Sequence, residues 1–488
     1  MSLFSCRRAR PCLRDEAGIA LVMAIGILAV LSIAGGTVIY LTSSNGRSAS
    51  YSKGSATAYD LAEAGINEAV AILAKPENNG FDPTLLPSAN APHTSTYAGG
   101  TVSWSAALDV ATSVWTITSV GRVKNPTGPA TADIVRTVKA KVKALAPDPQ
   151  PAQTQAWNFL YSGRTGNTCD MSLSQRGDVT APLYVAGNLC LSNNTSLLRG
   201  PVHVAGSVAL STTQSSIGKS SSPVSEAHIG AGCQYRTSAF DNPCPGAVDN
   251  VFATVLDAKP ALIPFPTADW DGAYKNANPG PFYPCQTTSG SPPTFDTAER
   301  LRNNSVPGIF NLTPSGSSYS CKTNAGELSW DATKKVLTVS GTIYIDGSAT
   351  SEISGVALYQ GQATLYVTGT FLMKTSKLCA VISGNKCDFS AWDPNKSLLI
   401  IAAAGSGGQV LQGDSVQMIG AQFQGGLYGT NAIDLDTTSS SQGPLVGSTV
   451  SLGQASDASF PKIAIVPPAA PGNTASWSKI SAPYDYSG

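Results

Sequence analysis

Histidine and charge are scarce in this chain. Its 488 residues include three histidines and 13% charged side chains, and the formal net charge is zero. No basic surface is therefore expected to attract nucleic acid. The sequence also lacks a C-x-x-C motif and a glycine-rich phosphate loop that follows a predicted strand. These absences argue against nucleic-acid binding and nucleotide chemistry, and we expect neither a cofactor nor a metal site.

Candidate catalytic side chains are equally sparse. The histidines, His93, His203 and His228, are far apart in the sequence. Four acids occur in close pairs, Asp388 with Asp393 and Asp434 with Asp436. Such pairs can bind Ca²⁺ or cleave a polysaccharide, but solvated loop carboxylates are the simpler interpretation. The sequence therefore predicts that the chain is not an enzyme.

One long uncharged stretch stands out. Residues 19–41 carry no charge and, at about 1.5 Å each in a helix, span roughly 35 Å, which is enough to cross the ~30 Å hydrocarbon core of a bilayer. Four arginines precede it, namely Arg7, Arg8, Arg10 and Arg14. Because such an excess of positive charge stays in the cytoplasm, we predict a single-pass inner-membrane protein with a cytoplasmic amino terminus. Everything after residue 41 is then extracytoplasmic and displayed at the cell surface.

A charged leader, residues 1–18, ends in Gly18 directly before this stretch. The next residues read AGIALVMAIGILAVL over 17–31, and DLAEAGI follows at 60–66. This order resembles the class III signal of type IV prepilins, and it looks most like the amino-terminal domain of PilX-type minor pilins. The resemblance covers roughly residues 1–146. It implies cleavage by prepilin peptidase after Gly18, methylation of the new amine on Ile19, and association with other pilin-like subunits; an unprocessed signal anchor is the alternative.

Met23 is a departure from that family. Most major pilins carry a glutamate at the fifth mature position, and Met23 stands there in this chain. A carboxylate in hydrocarbon needs a partner. Its absence suits a subunit at the filament tip, or one that primes assembly.

The rest of the first 146 residues is predicted to form a pilin-like α+β head. The helix, 19–75, should end at Pro76. Alternating apolar residues predict a small antiparallel sheet within 76–146, with strands at 100–107, 114–123 and 134–142. A proline-rich linker, 147–156, then marks a domain boundary.

Beyond the linker the sequence repeats with a period near twenty. PLYVAG at 182–187 recurs as PVHVAG at 201–206, and IYIDG at 343–347 recurs as LYVTG at 365–369. Short apolar strands that end in glycine at such a period are typical of a β-solenoid. The predicted fold is therefore mainly β with one long amino-terminal α-helix, a pilin-like α+β head followed by an irregular, β-helix-like solenoid. A β-sandwich or an irregular β-rich domain is the alternative.

The repeats divide the carboxy-terminal part. We predict coils over 157–230 and 328–470, a Cys/Pro-rich insertion at 231–327 between them, and a polar tail at 471–488. Within the coils, residues between inward-facing ones point outward. The outward set is predicted to line a face for a surface polysaccharide or protein ligand, with a purely supporting aromatic ladder as the alternative; it consists of Tyr184, His203, Tyr344 and Tyr366.

The ten cysteines point to disulfides. Cys6 and Cys12 lie in the leader, and an even number remains for an oxidising exterior. These disulfide candidates are Cys169, Cys190, Cys233, Cys244, Cys285, Cys321, Cys379 and Cys387. Short spacing favours the pairs Cys233 with Cys244 and Cys379 with Cys387; metal ligation is the competing interpretation.

These features together predict a membrane-anchored minor pilin or pseudopilin-like component of a type IV pilus system. It would present a large extracellular β-rich domain for assembly priming or adhesion. Its expected partners are other pilin-like subunits, prepilin peptidase and membrane lipid. Two alternatives remain, a membrane-tethered polysaccharide-active β-helix enzyme and a static cell-surface structural protein.

Overall fold

The structure is a computed structural model, and it describes most of the chain. The described residues are 16–76, 78–97, 99–110, 112–128, 132–166, 168–174, 177–192, 196–277, 285–287, 309–322, 326–345, 347–405, 414–436, 438–453, 460, 462–474 and 478–488. The predicted leader therefore lies outside the described residues up to position 15, together with Cys6, Cys12 and the four arginines.

Helix α1, Glu16–Leu73, has two halves with different surroundings. Every side chain from 18 to 53 is exposed, whereas Ala58, Ala62 and Ile66 are at most 1% exposed. Buried positions that lie four residues apart share one face of a helix. Residues 18–41 of α1 are therefore an apolar rod that none of the described residues covers, and the part from Ala58 onward packs on a sheet.

That sheet is antiparallel, and its first four strands follow chain order. They are β1 His93–Tyr97, β2 Gly100–Asp109, β3 Val114–Val123 and β4 Ile134–Leu145. Alternate side chains face α1, among them the buried Trp104, Ile117 and Val142. The strands β2 to β4 cover the three predicted ones, and β1 adds an edge strand that the alternation did not predict.

A glycine allows the close contact between α1 and β3. A Cβ atom on Gly121 would lie 2.0 Å from the carbonyl oxygen of Ala58. Because no real Cβ atom tolerates that distance, only glycine permits this helix to approach the strand so closely.

Short strands dominate the rest of the chain. The first group comprises β5 Gln150–Pro151, β6 Leu160–Ser162, β7 Cys169–Leu173, β8 Gly177–Val179, β9 Leu183–Val185, β10 Asn188–Leu191, β11 Ser196–Leu198, β12 Val202–Val204, β13 Val208–Leu210, β14 Ser216–Ile217, β15 Val224–Ile229, β16 Cys233–Tyr235 and β17 Ala253–Asp257. Two 3₁₀ helices, Gln155–Asn158 and Gly246–Asp249, accompany them.

The second group begins with a short helix. It comprises α2 Trp270–Ala277, β18 Cys285–Thr287, β19 Ile309–Asn311, β20 Tyr319–Lys322, β21 Gly326–Asp331, β22 Val336–Ile345, β23 Ser348–Ser351, β24 Gly355–Val367, β25 Phe371–Lys374, β26 Ser376–Cys379, β27 Ile382–Ser383, β28 Lys386–Cys387, β29 Leu398–Ala403, β30 Asp414–Ile419, β31 Gln422–Gln424, β32 Gly426–Asp436, β33 Ser440–Gln442, β34 Leu445–Leu452, β35 Ile465–Val466, β36 Lys479–Ile480 and β37 Tyr484–Ser487.

Most of these strands stack in parallel ladders, as the coils of a solenoid do. One ladder, called the first ladder below, runs in the spatial order β22, β24, β29, β32, β34, β6, β9, β12, β15, β17. Another joins β7, β10, β13 and β16, and a third joins β8, β11 and β14. Each coil thus contributes a strand to more than one face.

The coils do not stack in chain order. In parallel pairing, Leu445 of β34 lies opposite Leu160 of β6, and Val450 of β34 lies opposite Met171 of β7. The chain therefore enters the solenoid at its middle and runs outward to β17. It then resumes at the opposite end with β22 and returns to β34.

The predicted insertion and tail differ from the observed elements. β16 and β17 continue the parallel ladders, so the coils extend to residue 257, beyond the predicted start of the insertion at 231. In the predicted tail, β36 and β37 pair with β4 of the head sheet. Parts of the predicted insertion, at 278–284, 288–308 and 323–325, lie outside the described residues.

The solenoid has a core on each side of the first ladder. Inside the coils, Leu183, Val185, Val202 and Val204 are fully buried. Outside them lies a second cluster, the outer cluster, in which Trp157, Tyr161, Tyr184, Ile400 and Tyr428 pack under two segments, 261–273 and 463–470. The predicted fold class, mainly β with one long amino-terminal helix, is confirmed.

Candidate functional site

One outward position of the first ladder continues through successive coils. Its side chains, in spatial order, are Tyr344, Tyr366, Ala402, Tyr428, Val446, Tyr161, Tyr184, His203, His228 and Asp257. We call this series the outward row. Apolar and aromatic side chains occupy most of this row, and polar side chains occupy the end that contains His203, His228 and Asp257.

The predicted ligand face needs correction at two positions. Tyr184 is fully buried and Tyr366 is 1% exposed, because segments of the same chain cover them. The Tyr366 hydroxyl donates to the carbonyl of Ala469 at 2.7 Å, and the Tyr184 hydroxyl accepts from the amide of Ile263 at 3.1 Å. Both side chains point out of the coil, but each of them contacts a segment of the same chain on the face that was predicted to bind a ligand.

Two further tyrosines hold the same cover. The hydroxyls of Tyr161 and Tyr428 donate to the carbonyls of Ile263, at 2.7 Å, and Pro266, at 2.9 Å. Burial raises the pKa of each phenol, so both remain protonated donors at neutral pH. Tyr344, at the other end of the row, is partly buried against both clusters.

The row changes character at His203 and His228. Their rings stack at a centroid distance of 4.8 Å and an angle of 25°, because β12 and β15 are neighbours in register. Glu226 lies two residues before His228 on the same face of β15. One of its oxygens is 3.4 Å from Nε2 of His203, and the other is 3.4 Å from Nε2 of His228.

A second carboxylate orients His228. Oδ1 of Asp257 lies 2.6 Å from Nδ1 of His228 and accepts a 2.9 Å hydrogen bond from the amide of Lys259. The hydrogen bond from His228 lowers the pKa of Asp257 and in turn raises the pKa of His228. Burial lowers the pKa of His203, and the neighbouring His228 lowers it further. At neutral pH these shifts favour a neutral His203.

His203 and Glu226 lie at the edge of a cleft of about 790 Å³. The cleft is also lined by Asn158, Phe159, Phe460 and Lys462. The side chains of His203 and His228 are 12% and 15% exposed, and that of Glu226 is 40% exposed. Among the described residues this is the group of histidine and acid side chains whose donor atoms converge beside an open cavity.

Cysteines form disulfides in the described part of the chain. The bonded pairs are Cys169 with Cys190, Cys233 with Cys244 and Cys379 with Cys387. Cys321 is also disulfide-bonded, and in the pairing of β18 with β20 it lies opposite Cys285. Two of these pairs are those that the short spacing favoured.

The other predicted site residues are dispersed. Gly18 and Ile19 lie on the exposed part of α1, and Gly18–Leu73 contains an apolar window of mean hydropathy 2.5 that is long enough to cross a membrane. His93 is in the head, 3.9 Å from Glu68. Asp388 accepts hydrogen bonds from Ser390, as a local turn carboxylate does.

Sequence reasoning missed the grouping of His203, Glu226, His228 and Asp257. The repeat identified His203, but the coil that follows is longer than the preceding one. His228 therefore did not align with it in the sequence. An alignment that allowed for this insertion would have revealed two histidines in one outward position.

The chain is similar to one solved structure of a pilin. That structure is the crystal structure of the competence-associated pilin ComZ from Thermus thermophilus, with 13% identity and a TM-score of 0.35 over 89% of this chain and 98% of that chain. At this TM-score the similarity carries no argument. No family model and no curated protein matches the chain.

Proposed function

We propose that this chain is a membrane-anchored, type IV pilin-like subunit that carries a large β-rich domain outside the membrane. The observation behind the proposal is the division of α1. Its exposed residues from 18 to 53 include the uncharged stretch, while Ala58 to Leu73 pack on an antiparallel sheet. An exposed apolar rod needs lipid or neighbouring helices around it, and a helix docked on a small sheet is how a pilin-like head carries such a rod.

The leader sequence supports a specific order of membrane insertion and processing. With the arginines retained in the cytoplasm, prepilin peptidase cuts after Gly18 and methylates Ile19, and the solenoid is exported. Met23 in place of an acid suits a tip or priming subunit, because no carboxylate in hydrocarbon then lacks its partner. PilX-type minor pilins are the class whose sequence this part resembles.

The connection between head and solenoid supports display of the solenoid as cargo. The predicted linker is paired with another segment of the chain, because β5 lies within it and pairs antiparallel with β35. The side chain of Asn473 accepts a hydrogen bond from the amide of Gln153 and donates one to the carbonyl of Pro151. The chain also returns to the head, where Lys479 lies opposite Leu145 of β4, and the Lys479 ammonium contacts Asp148 of the predicted linker at 2.6 Å. Two paired chain segments therefore connect the solenoid to the head, which suits a bulky domain presented for adhesion or for priming of assembly.

Mass spectrometry of the mature amino terminus tests the proposal. The full chain is expressed in cells with and without prepilin peptidase. We expect a chain that begins with N-methylated Ile19 only where the peptidase is active, and recovery of the protein with sheared filaments when the other subunits are present. The variant Gly18→Leu should remain uncut.

Gly26→Leu is the matched control, since Gly26 also lies on the exposed rod and a Cβ atom there meets nothing within 4 Å. It should be processed normally. A leader that stays attached despite active peptidase, or cleavage after the apolar stretch, would overturn the pilin proposal.

A further inference from the structure

The polar end of the outward row forms a compact group of donor atoms. One ring nitrogen of His203, one ring nitrogen of His228 and one carboxylate oxygen of Glu226 lie within 4.8 Å of one another. Each residue comes from a β-strand of the first ladder, so the backbone positions are held by parallel pairing. The group is separate from α1 and the head, on which the proposed function depends.

The two contacts from Glu226 are long for charge-assisted hydrogen bonds and match the spacing of two ligands on one metal ion. Both Nε2-to-oxygen distances are 3.4 Å, whereas charge-assisted hydrogen bonds of this type are about 2.7–2.9 Å long. Ligand atoms about 2.0–2.1 Å from a tetrahedral Zn²⁺ ion are roughly 3.3 Å from each other. Each carboxylate oxygen of Glu226 therefore lies at ligand-to-ligand distance from one imidazole nitrogen, Oε1 from His203 and Oε2 from His228.

Neighbouring side chains fix the orientation of both imidazole rings. Asp257 Oδ1 lies 2.6 Å from Nδ1 of His228 and accepts its hydrogen bond in the tautomer whose Nε2 lone pair is left for a metal. His203 Nδ1 is buried without a hydrogen-bond partner among the described residues. Its ring is instead oriented by packing, edge-on against Phe159 at 5.9 Å and stacked on His228.

We propose that His203, Glu226 and His228 bind one divalent zinc-class ion, with a fourth coordination position open to the cleft. Two imidazoles and one carboxylate suit Zn²⁺ rather than Ca²⁺ or Mg²⁺, which prefer oxygen ligands alone. The cleft reaches His203 and Glu226, so a water or an oxygen donor from a ligand can occupy the fourth position. Asp257 is a positioning residue that touches the metal only through His228.

Metal binding is measured on the full chain in detergent after treatment with a chelator, with Zn²⁺ and Co²⁺ as probes. All proteins carry Cys6→Ser and Cys12→Ser, so that leader thiols do not contribute. We expect one equivalent of metal per chain and a tetrahedral Co²⁺ spectrum. His203→Ala and His228→Ala should abolish this binding, and Asp257→Asn should weaken it by about 10- to 100-fold.

His93→Ala is the matched control. His93 is the remaining histidine and also has a glutamate near it, 3.9 Å away, but that pair lies in the head and has no second imidazole. Binding should be unchanged in this variant. Equal loss in His93→Ala, or unchanged stoichiometry in His203→Ala and His228→Ala, would overturn the proposal.

X-ray absorption of the zinc-loaded protein keeps the proposal testable if a histidine variant fails to fold. Expected are two imidazole ligands with further oxygen at about 2.0–2.1 Å. A shell with sulfur near 2.3 Å, a shell of oxygen alone, or no retained zinc after gel filtration would contradict it. Because none of these measurements depends on leader cleavage, failure here is distinct from failure of the pilin proposal.

Discussion

Tyr184 stacks on Tyr161 with ring centroids 4.8 Å apart and an interplanar angle of 10°. Their hydroxyls bind opposite backbone groups of one residue, since Tyr161 donates to the carbonyl of Ile263 and Tyr184 accepts from its amide. Ile263, which is not part of a described strand, thus obtains hydrogen bonds for both of its backbone groups from side chains. The outward row thus supplies hydrogen bonds that a neighbouring strand would supply in a sheet.

The variant Tyr161→Phe should weaken this attachment. It leaves the Ile263 carbonyl buried without its donor, at an expected cost of about 1–2 kcal/mol in the free energy of unfolding. Denaturant unfolding of the detergent-solubilised chain measures the loss, and hydrogen exchange should increase first in residues 261–266. Tyr486→Phe is the control, because Tyr486 is 52% exposed. Equal effects of the two variants would contradict this account.

Gly121→Ala should disturb the head more than its size suggests. The new Cβ atom would lie 2.0 Å from the Ala58 carbonyl oxygen, so α1 or β3 must move. Overpacking of this kind costs about 1–3 kcal/mol, which thermal unfolding should report as a lower midpoint. Gly316→Ala is the comparison, since nothing lies within 4 Å of a Cβ atom there. An unchanged midpoint for Gly121→Ala would show that the helix does not pack so tightly.

Removal of residues 478–488 should expose one edge of the head sheet. The deletion removes β36 and β37, which pair with β4 on the edge that β3 leaves open. It also removes the 2.6 Å ion pair of Asp485 with Lys141 and the buried Ser478 hydroxyl that accepts from the Gly80 amide. Amide exchange in β4 should therefore accelerate, while exchange in β24 of the solenoid provides an internal reference. If β4 remains as protected as in the full chain, the tail does not stabilise the head.

Local patterns predicted the parts of the fold whose burial is decided within a few residues. Alternation in β3 and β4 marked their buried faces because side chains alternate across a sheet. In the same way, the repeat around Tyr184 and His203 predicted coil strands and outward side chains.

Spatial order and cover were beyond such patterns. A repeat gives the period of a coil but not its neighbour, so nothing near Leu445 predicts its pairing with Leu160. The burial of Tyr184 depends on Ile263, which lies in a proline-rich segment without periodicity. The candidate site was missed for the same reason, because Glu226 and Asp257 gain their meaning only from stacking of unequal coils.

A change of one charge in the solenoid should alter the pH dependence of stability. Burial raises the pKa of Asp434, and the carboxylates of Asp414 and Asp436 raise it further. A folded state with the higher pKa binds more protons than the unfolded state, so stability falls as the pH rises from the ordinary value of 3.8 through the folded pKa. Ionised Asp434 is therefore unfavourable at neutral pH.

Asp434→Asn should consequently stabilise the protein at pH 7, by up to about 1 kcal/mol because solvent screens a half-buried charge, and should have no such effect below pH 3.8. The Asn side chain keeps an acceptor for the Ser451 hydroxyl, so the hydrogen bond that favours the native residue is retained. Thermal midpoints across this pH range measure the difference. The exposed Asp133, changed to Asn, is the control and should shift the midpoint little at any pH. A stabilisation by Asp434→Asn that persists at acid pH would mean that packing rather than charge is responsible.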